Sequence, residues 1–327
     1  MATKIGIIGA GGMVNYHIAG FVQAGAEIVA IADMNMAAAQ RIADANGIPN
    51  VFSDVAGMLA LDEIDAVSII VPNKFHAPLS IQALEAGKHV FCEKPVAVDA
   101  PGVRSVMETV EKARGKNLSI VSGLCWRYDY GVRETIGRLL DGAVGDIVAI
   151  QENYNAGTLW SFPRQPGWSD MEYQMRNWLY YTWLSGDHNV EQHIHSLDKA
   201  LWLMGDEPPA AAMGLGGRQV RTDPLFGNIF DHHAVCYEYP NGVRVYSYCR
   251  QMGGCWSDVD DYVLGTKGQS EVLKNSITGE TKWRYRGPKP SMYRVEHQEL
   301  FAGLRSGNII NNGVYMARST MMAIMGR

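Results

Sequence analysis

The sequence predicts an α/β protein of two domains, a doubly wound parallel sheet followed by an α+β domain with an open, mostly antiparallel sheet. In the first third of the chain, short apolar runs alternate with longer helical stretches, which is typical of parallel β-α-β units. After about residue 122 aromatic residues become dense, and strand-like segments joined by turns replace that alternation. We therefore expect one domain at residues 1–123 and a second at residues 124–327.

Each element of the first domain follows from hydrophobic periodicity and from the residues that end helices. Strands are expected at residues 4–9, 27–33, 66–71, 89–92 and 118–122, with helices at about 13–25, 36–46, 77–86 and 102–114. The apolar runs do not alternate with polar residues, as expected of parallel strands that helices cover on both faces.

The second domain begins with residues 155–185, which are polar and aromatic without a clear period. Loops of this length in compact domains are usually functional. A helix is expected at 187–204, followed by strands at 210–216, 233–239, 243–250 and 261–265 and by helices at about 293–306 and 312–325. The turn Pro240-Asn241-Gly242 predicts a hairpin between two of these strands.

Composition and charge narrow the class of partners. The formal net charge of -5 leaves no net cationic field to attract nucleic acid. The five cysteines are odd in number and form no C-x-x-C pair, which favours free thiols over a disulfide framework. No apolar run approaches the roughly 20 residues that cross a bilayer. We expect no membrane partner and a cytoplasmic protein, or a periplasmic one if an export signal has been removed.

A glycine-rich turn, Gly9-Ala10-Gly11-Gly12, lies between the first predicted strand and the first predicted helix. A dinucleotide pyrophosphate needs such a turn, so that amides at the helix N-terminus can reach its oxygens. Asp33 ends the second strand, where a carboxylate accepts hydrogen bonds from ribose hydroxyls and repels a 2′-phosphate. The pattern predicts a Rossmann-type domain that binds NAD(H) rather than NADP(H). Val14 replaces the third glycine of G-x-G-x-x-G, and a turn for another ligand is the alternative.

Two further turns follow predicted strands of the parallel sheet. One contains Pro72, Asn73 and His76, and the other contains Glu93 and Lys94. Ligands bind beyond the carboxyl ends of such strands, so both turns should border the nicotinamide. A partly desolvated lysine there can hydrogen-bond a reacting hydroxyl with a pKa lowered towards the working range. The alternative is a solvated surface lysine.

At these residues the chain resembles the Gfo/Idh/MocA family, named for glucose–fructose oxidoreductase, inositol dehydrogenase and rhizopine catabolism. The resemblance rests on GIIGAGGM, Asp33, VPNKFH, EKP at 93–95, Trp126-Arg127-Tyr128, Gly145-Asp146-Ile147 and Gly265-Thr266-Lys267-Gly268. It implies a dinucleotide-binding domain followed by an open-faced antiparallel sheet. It also implies an NAD cofactor bordered by Gly9, Gly11, Gly12, Met13, Asp33, Pro72, Asn73, His76, Glu93 and Lys94.

A histidine-rich segment precedes the strands of the second domain. If residues 187–204 are one helix, Glu191 and His195 share a face, and a carboxylate in that position can stabilise a protonated imidazole. The family pattern D-x-x-x-H-x-x-D reads Glu191, His195 and Asp198 here. The resemblance implies that Lys94 and His195 share proton transfer with Glu191 as helper. A zinc site of His188, Glu191 and His195, or polar residues at a buried helix end, are the alternatives; we expect no metal.

The resemblance implies a small-molecule sugar or cyclitol as substrate. The aromatic residues between 160 and 183 can pack against the C–H faces of such a molecule, and a core-forming or subunit-contact segment is the alternative. Residues expected to contact it are Lys94, Arg127, Tyr154, Trp160, Glu191, His195 and Asp198. We expect an NAD-dependent dehydrogenase (EC 1.1.1 type) that forms a homodimer or homotetramer through the C-terminal sheet. One alternative is a glycosidase that uses bound NAD for transient oxidation, elimination and re-reduction. A second is a non-catalytic sensor of NAD or sugar.

Overall fold

The computed structural model describes residues 2–327 and divides the chain into two compact units. The first combines the residues up to Tyr128 with Pro290–Ala317, and the second combines Asp129–Lys289 with Arg318–Arg327. The late segment Pro290–Ala317 is therefore part of the first unit, whereas the sequence alone placed residues 124–327 in one domain. Periodicity identified a helix there but could not show which core that helix packs against.

The first unit contains a six-stranded parallel sheet in the order β3-β2-β1-β4-β5-β6. Its strands are β1 (Thr3–Ile8), β2 (Ala26–Ala32), β3 (Asn50–Phe52), β4 (Ala66–Ile69), β5 (His89–Cys92) and β6 (Ile120–Ser122). Its first helices are α1 (Val14–Gln23), α2 (Met36–Asn46), α3 (Val55–Leu59), α4 (His76–Glu85) and α5 (Ala100–Gly115). The predicted doubly wound sheet is confirmed. Strand order reverses beside β1, which opens a crevice at the carboxyl ends of β1 and β4.

Helix α11 (Met292–Ser306) packs against α1 in the first unit. Phe301 meets Phe21 edge-to-face with 5.9 Å between ring centres, and both side chains are buried in the same core as Ile5. The following residues complete the edge of the sheet, because the backbone amide of Asn312 donates to the carbonyl of Ile120 at 2.8 Å. These contacts explain why a segment so late in the sequence belongs to the first unit.

The second unit contains an eight-stranded sheet in the order β14-β13-β12-β11-β7-β10-β9-β8. Its strands are β7 (Ile147–Ala156), β8 (Ala211–Gly217), β9 (His232–Glu238), β10 (Arg244–Gln251), β11 (Asp258–Gly265), β12 (Gly268–Glu271), β13 (Ser276–Gly279) and β14 (Trp283–Arg284). Strands β7 and β10 pair in parallel, and the other neighbours are antiparallel. The mostly antiparallel sheet and its β9–β10 hairpin are thus confirmed.

The remaining helices are α6 (Tyr130–Leu140), α7 (Asp170–Arg176), α8 (Thr182–Ser185), α9 (His188–Glu191), α10 (Ile194–Leu203) and α12 (Gly313–Gly326). Helix α10 packs on one face of the sheet, against β7 and β11. The single helix expected at 187–204 is wrong, since α9 and α10 are separated at Gln192 and His193. Residues 155–185, expected to lack regular structure, contain α7 and α8. Within residues 2–327, no helix combines the length and apolarity required to cross a bilayer.

Candidate active site

The turn after β1 has the geometry that a pyrophosphate requires. Gly9 has φ of +109°, and a Cβ there would lie 2.2 Å from the carbonyl oxygen of Ile70, so only glycine fits. Gly11 and Gly12 are exposed, and a Cβ on either would meet no described atom within 4 Å. Within the described residues no side chain caps α1, so its N-terminus is open to an anion. Val14, in place of the third glycine, is buried in the core with Ile5.

Asp33 directly follows β2 and accepts a hydrogen bond from the backbone of this glycine turn. Its Oδ2 accepts a hydrogen bond from the amide of Ala10 at 2.7 Å, and its Oδ1 accepts one from the amide of Asn35 at 2.7 Å. The carboxylate remains partly exposed, and the neighbouring Met34 is 92% exposed. Neither Met34 nor Asn35 supplies a cation for a 2′-phosphate. The turn, the open N-terminus of α1, the exposed Met13 and Asp33 together fit a dinucleotide.

His76 connects the turns after β4 and β5. Its ring is buried, with Nδ1 2.6 Å from the carbonyl oxygen of Pro95 and Nε2 2.8 Å from that of Val71. Burial lowers the pKa of His76 below its usual range, although both carbonyl contacts oppose this. Asn73 is also buried, and Pro72 is partly exposed beside it. His76 therefore bridges the two turns, and its expected contact with the cofactor stays a prediction.

Lys94 follows β5 and is half-buried, and its peptide bond to Pro95 is cis. Its backbone amide donates to Oε2 of Glu93 at 3.1 Å. The other oxygen, Oε1, lies 3.1 Å from Nε2 of His17. Burial favours a raised pKa for Glu93, but the contact with His17 and the charges of His17, Lys94 and His76 hold it at about 2. His17 was missed because a histidine on a helix face carries no sequence signal of its partner.

In the second unit, Glu191 and His195 are more exposed than the residues around them. Of residues 184–201, all are buried except Glu191, Gln192 and His195, which are half-buried. The amide of His193 donates to the carbonyl of His188 at 3.1 Å, which is a wider turn than that of an α-helix. Glu191 and His195 are thus four residues apart across a break rather than on one continuous helix. Gln192, which the sequence did not single out, is half-buried like them.

The neighbouring histidines point into the unit. Nδ1 of His188 lies 3.1 Å from Oδ1 of Asp187, and its Nε2 lies 3.3 Å from Sγ of Cys249. Nε2 of His193 lies 2.6 Å from Oγ of Ser247. Burial lowers the pKa of both histidines, so each is neutral near pH 7. These bonds to the loop before α9 and to β10 explain why the segment departs from a regular helix.

The structure does not bring His188, Glu191 and His195 together as a metal-ligand set. Among residues 2–327, the group with three ligand atoms within 4.8 Å of one another is Asp187, His188 and His233. Nε2 of His233 lies 3.4 Å from Oδ1 of Asp187. In this buried group, the carboxylate of Asp187 accepts hydrogen bonds from the imidazoles of His188 and His233.

Three residues expected at the substrate have other surroundings. Asp198 is buried and accepts a hydrogen bond from Oγ of Ser319 at 2.7 Å, so it anchors α10. Arg127 is buried, with its guanidinium carbon 3.8 Å above the centre of the Tyr315 ring. Trp160 is 43% exposed. Its ring centre lies 5.3 Å from that of Phe162 and 6.1 Å from that of Trp178.

Tyr154 and Lys199 complete the surroundings of the α10 segment. Tyr154 is half-buried, with its ring centre 6.2 Å from that of His193. Nζ of Lys199 donates to the carbonyl oxygen of His195 at 2.7 Å and lies 3.1 Å from Oδ2 of Asp261. Burial raises the pKa of Asp261, and the charge of Lys199 opposes that rise. The backbone at His195 is therefore fixed by a buried lysine, which the sequence did not indicate.

A parallel sheet in this strand order, with a glycine turn after its first strand, defines a dinucleotide-binding domain. The family model described as "Oxidoreductase family, NAD-binding Rossmann fold" (GFO_IDH_MocA) matches residues 3–121. Inositol 2-dehydrogenase 3 of Saccharopolyspora erythraea is 30% identical over 285 residues, which are 85% of this chain and 75% of the relative. The chain belongs to the Gfo/Idh/MocA family of NAD-binding oxidoreductases.

Further comparisons agree with this fold. The 2,7-anhydro-N-acetylneuraminate hydratase of Escherichia coli is 26% identical over 308 residues, 91% of this chain and 77% of the relative. A solved structure of levoglucosan dehydrogenase in complex with NADH and levoglucosan has a TM-score of 0.80 at 20% identity, covering 100% of this chain and 95% of that one. The myo-inositol 2-dehydrogenase of Lactobacillus plantarum has a TM-score of 0.77 at 21% identity, with 99% and 95% covered.

Proposed function

We propose that this protein is an NAD-dependent dehydrogenase of a hydroxyl group on a sugar or cyclitol. The observation that carries the proposal is the position of Lys94, which follows β5 at the same edge of the parallel sheet as the glycine turn after β1. Ligands of such sheets bind at that edge. Relatives named inositol 2-dehydrogenase support the substrate class. The carboxylate of Asp33, which Met34 and Asn35 follow in the chain, favours NAD(H) over NADP(H).

When bound, NAD supplies the acceptor or donor of the hydride. In the oxidative direction, the neutral imidazole of His195 takes the proton of the substrate hydroxyl while the C–H bond of the same carbon gives up a hydride. The ammonium of Lys94 donates a hydrogen bond to that oxygen and stabilises the negative charge that develops on it. Glu191, which is four residues before His195 and half-buried like it, helps to hold the protonated imidazole. Reduction follows the same steps in reverse.

We propose a smaller set of substrate contacts than the sequence suggested. Lys94, Glu191, His195, Tyr154 and Trp160 are at least partly exposed and remain candidates. The aromatic rings of Tyr154 and Trp160 offer surfaces for the C–H faces of a sugar. Asp198 and Arg127 are buried and bonded within their own units, and we assign them supporting roles for α10 and for the residues that follow β6.

The test is an NAD-coupled screen of sugars, glycosides and inositols with the purified protein, in which NADH formation is followed by absorbance. We expect turnover of at least one inositol or sugar. Lys94→Ala should lower kcat about 100-fold or more, because the developing charge loses its hydrogen bond. Lys274→Ala is the matched control, since Lys274 is exposed in the second unit and pairs with Glu271. Normal turnover by the Lys94 variant would contradict the proposal.

A second candidate is a lyase- or glycosidase-like reaction in which bound NAD oxidises the sugar transiently and is regenerated. The hydratase among the relatives favours it, because a hydratase by name performs no net oxidation. The same screen separates the two candidates. Turnover that consumes substrate without accumulating NADH, at NAD concentrations no higher than that of the enzyme, supports the second. A sensor without chemistry has less support, because Lys94, Glu191 and His195 are all present.

A further inference from the structure

Four titratable side chains of the first unit lie next to one another, beginning with Glu93 beside Lys94. The other three are His17, His297 and Glu296. Glu93 lies 3.1 Å from Nε2 of His17, and Nδ1 of His17 lies 3.2 Å from Nε2 of His297. Glu296 is 3.9 Å from the same ring nitrogen of His297. His17, His297 and Glu296 are buried, and Glu93 is the one member with an exposed portion, at 21% of its side chain. The mechanism above uses none of these four residues.

His17 has a close neighbour at each ring nitrogen and aromatic rings around it. It lies on α1, the helix that begins at the glycine turn, and its ring centre is 5.4 Å from that of Phe91 and 6.0 Å from that of Phe21. Burial, helped by the neighbouring His17, lowers the pKa of His297 to about 3, although Glu93 opposes this. A neutral His297 leaves one ring nitrogen to share a proton with His17. The other nitrogen of His17 then faces the carboxylate of Glu93.

Glu93 has little freedom to move away from His17. Its Oε2 accepts from the amide of Lys94, and a Cβ added to Gly123 would lie 2.7 Å from that same oxygen. The groups whose charges act on Glu93 are His17 on α1, His76 on α4, Lys94 beside it, and Glu296 and His297 on α11. Burial raises the pKa of Glu296 well above its usual range, and the charge of Glu93 adds to that rise.

We propose that His17 is a positioning residue for Lys94: by holding the carboxylate of Glu93 in place, it fixes the turn that carries the lysine. The inference rests on the proposed function only in giving Lys94 a role in proton transfer. It links two parts of the cofactor site, because the helix that starts at the glycine turn also carries the histidine that supports the lysine turn. His17 touches no reacting atom, and its effect passes through Glu93.

The test measures Lys94 itself, in protein without substrate or cofactor. The rate at which a dilute acetylating reagent modifies Lys94 is followed against pH by peptide mass spectrometry. In His17→Leu, Glu93 loses its partner, and its carboxylate is no longer held next to Lys94. The midpoint of Lys94 acetylation should then fall by about half a pH unit or more, because the ammonium loses an anionic neighbour. The pH profile of kcat/KM should shift in the same direction, with kcat lowered about tenfold.

Two further variants separate positioning from packing. His17→Gln keeps an N–H near the place of Nε2 and should restore kcat to within about threefold of the native protein. Glu93→Gln has nearly the native shape and should reproduce the midpoint shift even if leucine at position 17 prevents folding. His89→Gln is the matched control, because His89 lies at the other end of β5 and should leave the midpoint unchanged.

Unchanged acetylation midpoints in His17→Leu and Glu93→Gln, with Lys94→Ala inactive, would overturn this inference alone. Normal turnover by Lys94→Ala would instead overturn the proposed function, whatever the behaviour of His17. Loss of stability in His17→Leu with a native midpoint and pH profile would show that the histidine only fills space.

Discussion

At the scale of single residues, the glycines of the turn are required for different reasons. Packing against neighbouring backbone requires glycine at position 9, whereas we expect the ligand to require it at position 11. Gly9 is enclosed by the end of β4, whereas Gly11 and Gly12 face open space. The sequence showed all three as one motif. It could not separate them, because the separation depends on which backbone atoms lie nearby.

We expect Gly9→Ala and Gly11→Ala to behave differently. Gly9→Ala should lower the free energy of unfolding by about 1–3 kcal/mol, because its positive φ and a carbonyl oxygen 2.2 Å from the new Cβ both oppose it. Gly11→Ala should leave stability within about 0.5 kcal/mol of the native value but weaken NAD binding. Denaturant unfolding and calorimetric titration with NAD measure the two effects. Equal stability of both variants would contradict this account of the turn.

At the scale of elements, the sequence predicted most strands and helices of the first unit because their apolar runs are long or strictly periodic. It missed β3, which has three residues, and β7, in which Gln151 and Asn153 interrupt the apolar pattern. It also missed the break between α9 and α10. That break is caused by buried side chains such as His188 and His193 that bond to other elements, and no local pattern reports such bonds.

The contact of α1 with α11 should make stability depend on pH. The pKa of His297 is lowered to about 3 from 6.5, so the unfolded chain binds a proton that the folded protein does not between those values. Stability contributed by His297 is therefore present above about pH 6.5 and is lost as the pH falls. Between pH 7 and pH 5 the native protein should lose about 2 kcal/mol more than His297→Gln does.

Denaturant unfolding at the two pH values measures this difference, with His232→Gln as the control because His232 is partly exposed. If the His297 and His232 variants lose the same stability between pH 7 and pH 5, the assignment of this pH dependence to His297 is wrong.

The stability of the protein should depend on the buried ion pair between Lys199 on α10 and Asp261 on β11. Lys199→Met leaves Asp261 without its cation and the carbonyl of His195 without its donor, and should cost about 3–5 kcal/mol of unfolding free energy. Adding Asp261→Asn should recover part of that loss, because the uncompensated charge is removed. Chemical denaturation of both single variants and the double variant measures the coupling. Additive losses would show that the two groups do not interact.

At the scale of the whole molecule, the sequence predicted the class of both sheets and their order along the chain. It did not predict that Pro290–Ala317 belongs to the first unit, because the partner of an amphipathic helix is a tertiary property. Of the candidate site, the glycine turn, Asp33 and Lys94 could be predicted from motifs. His17, Gln192 and Lys199 could not, because their importance lies in contacts between residues far apart in the chain.

One face of the second sheet carries exposed apolar side chains and is a candidate for subunit contact. The pairing register puts Met213, Cys236 and Tyr246 in one row across β8, β9 and β10. Met213 and Tyr246 are exposed, and so are Leu215, Tyr248 and Leu264 on the same face. We propose that the protein forms a homodimer or homotetramer through this face, since large exposed apolar patches mark interaction sites.

We expect the double variant Tyr246→Glu and Leu264→Lys to lower the oligomeric state, because charges disfavour the core of an interface. Val22→Lys, at an exposed position of α1, is the control and should leave the state unchanged. Light scattering coupled to size-exclusion chromatography gives the mass of each species. A monomeric native protein would exclude this interface.

The two hydrogen bonds of Asp33 have a consequence for efforts to redesign cofactor choice. A common strategy replaces the acidic residue at the end of the second strand by a neutral one and adds an arginine nearby. Here that exchange would also release the amide of Ala10, whose partner is Oδ2 of Asp33. A variant engineered to accept the phosphorylated dinucleotide would therefore need a substitute acceptor for that amide, such as the side-chain oxygen of an asparagine or serine at position 33.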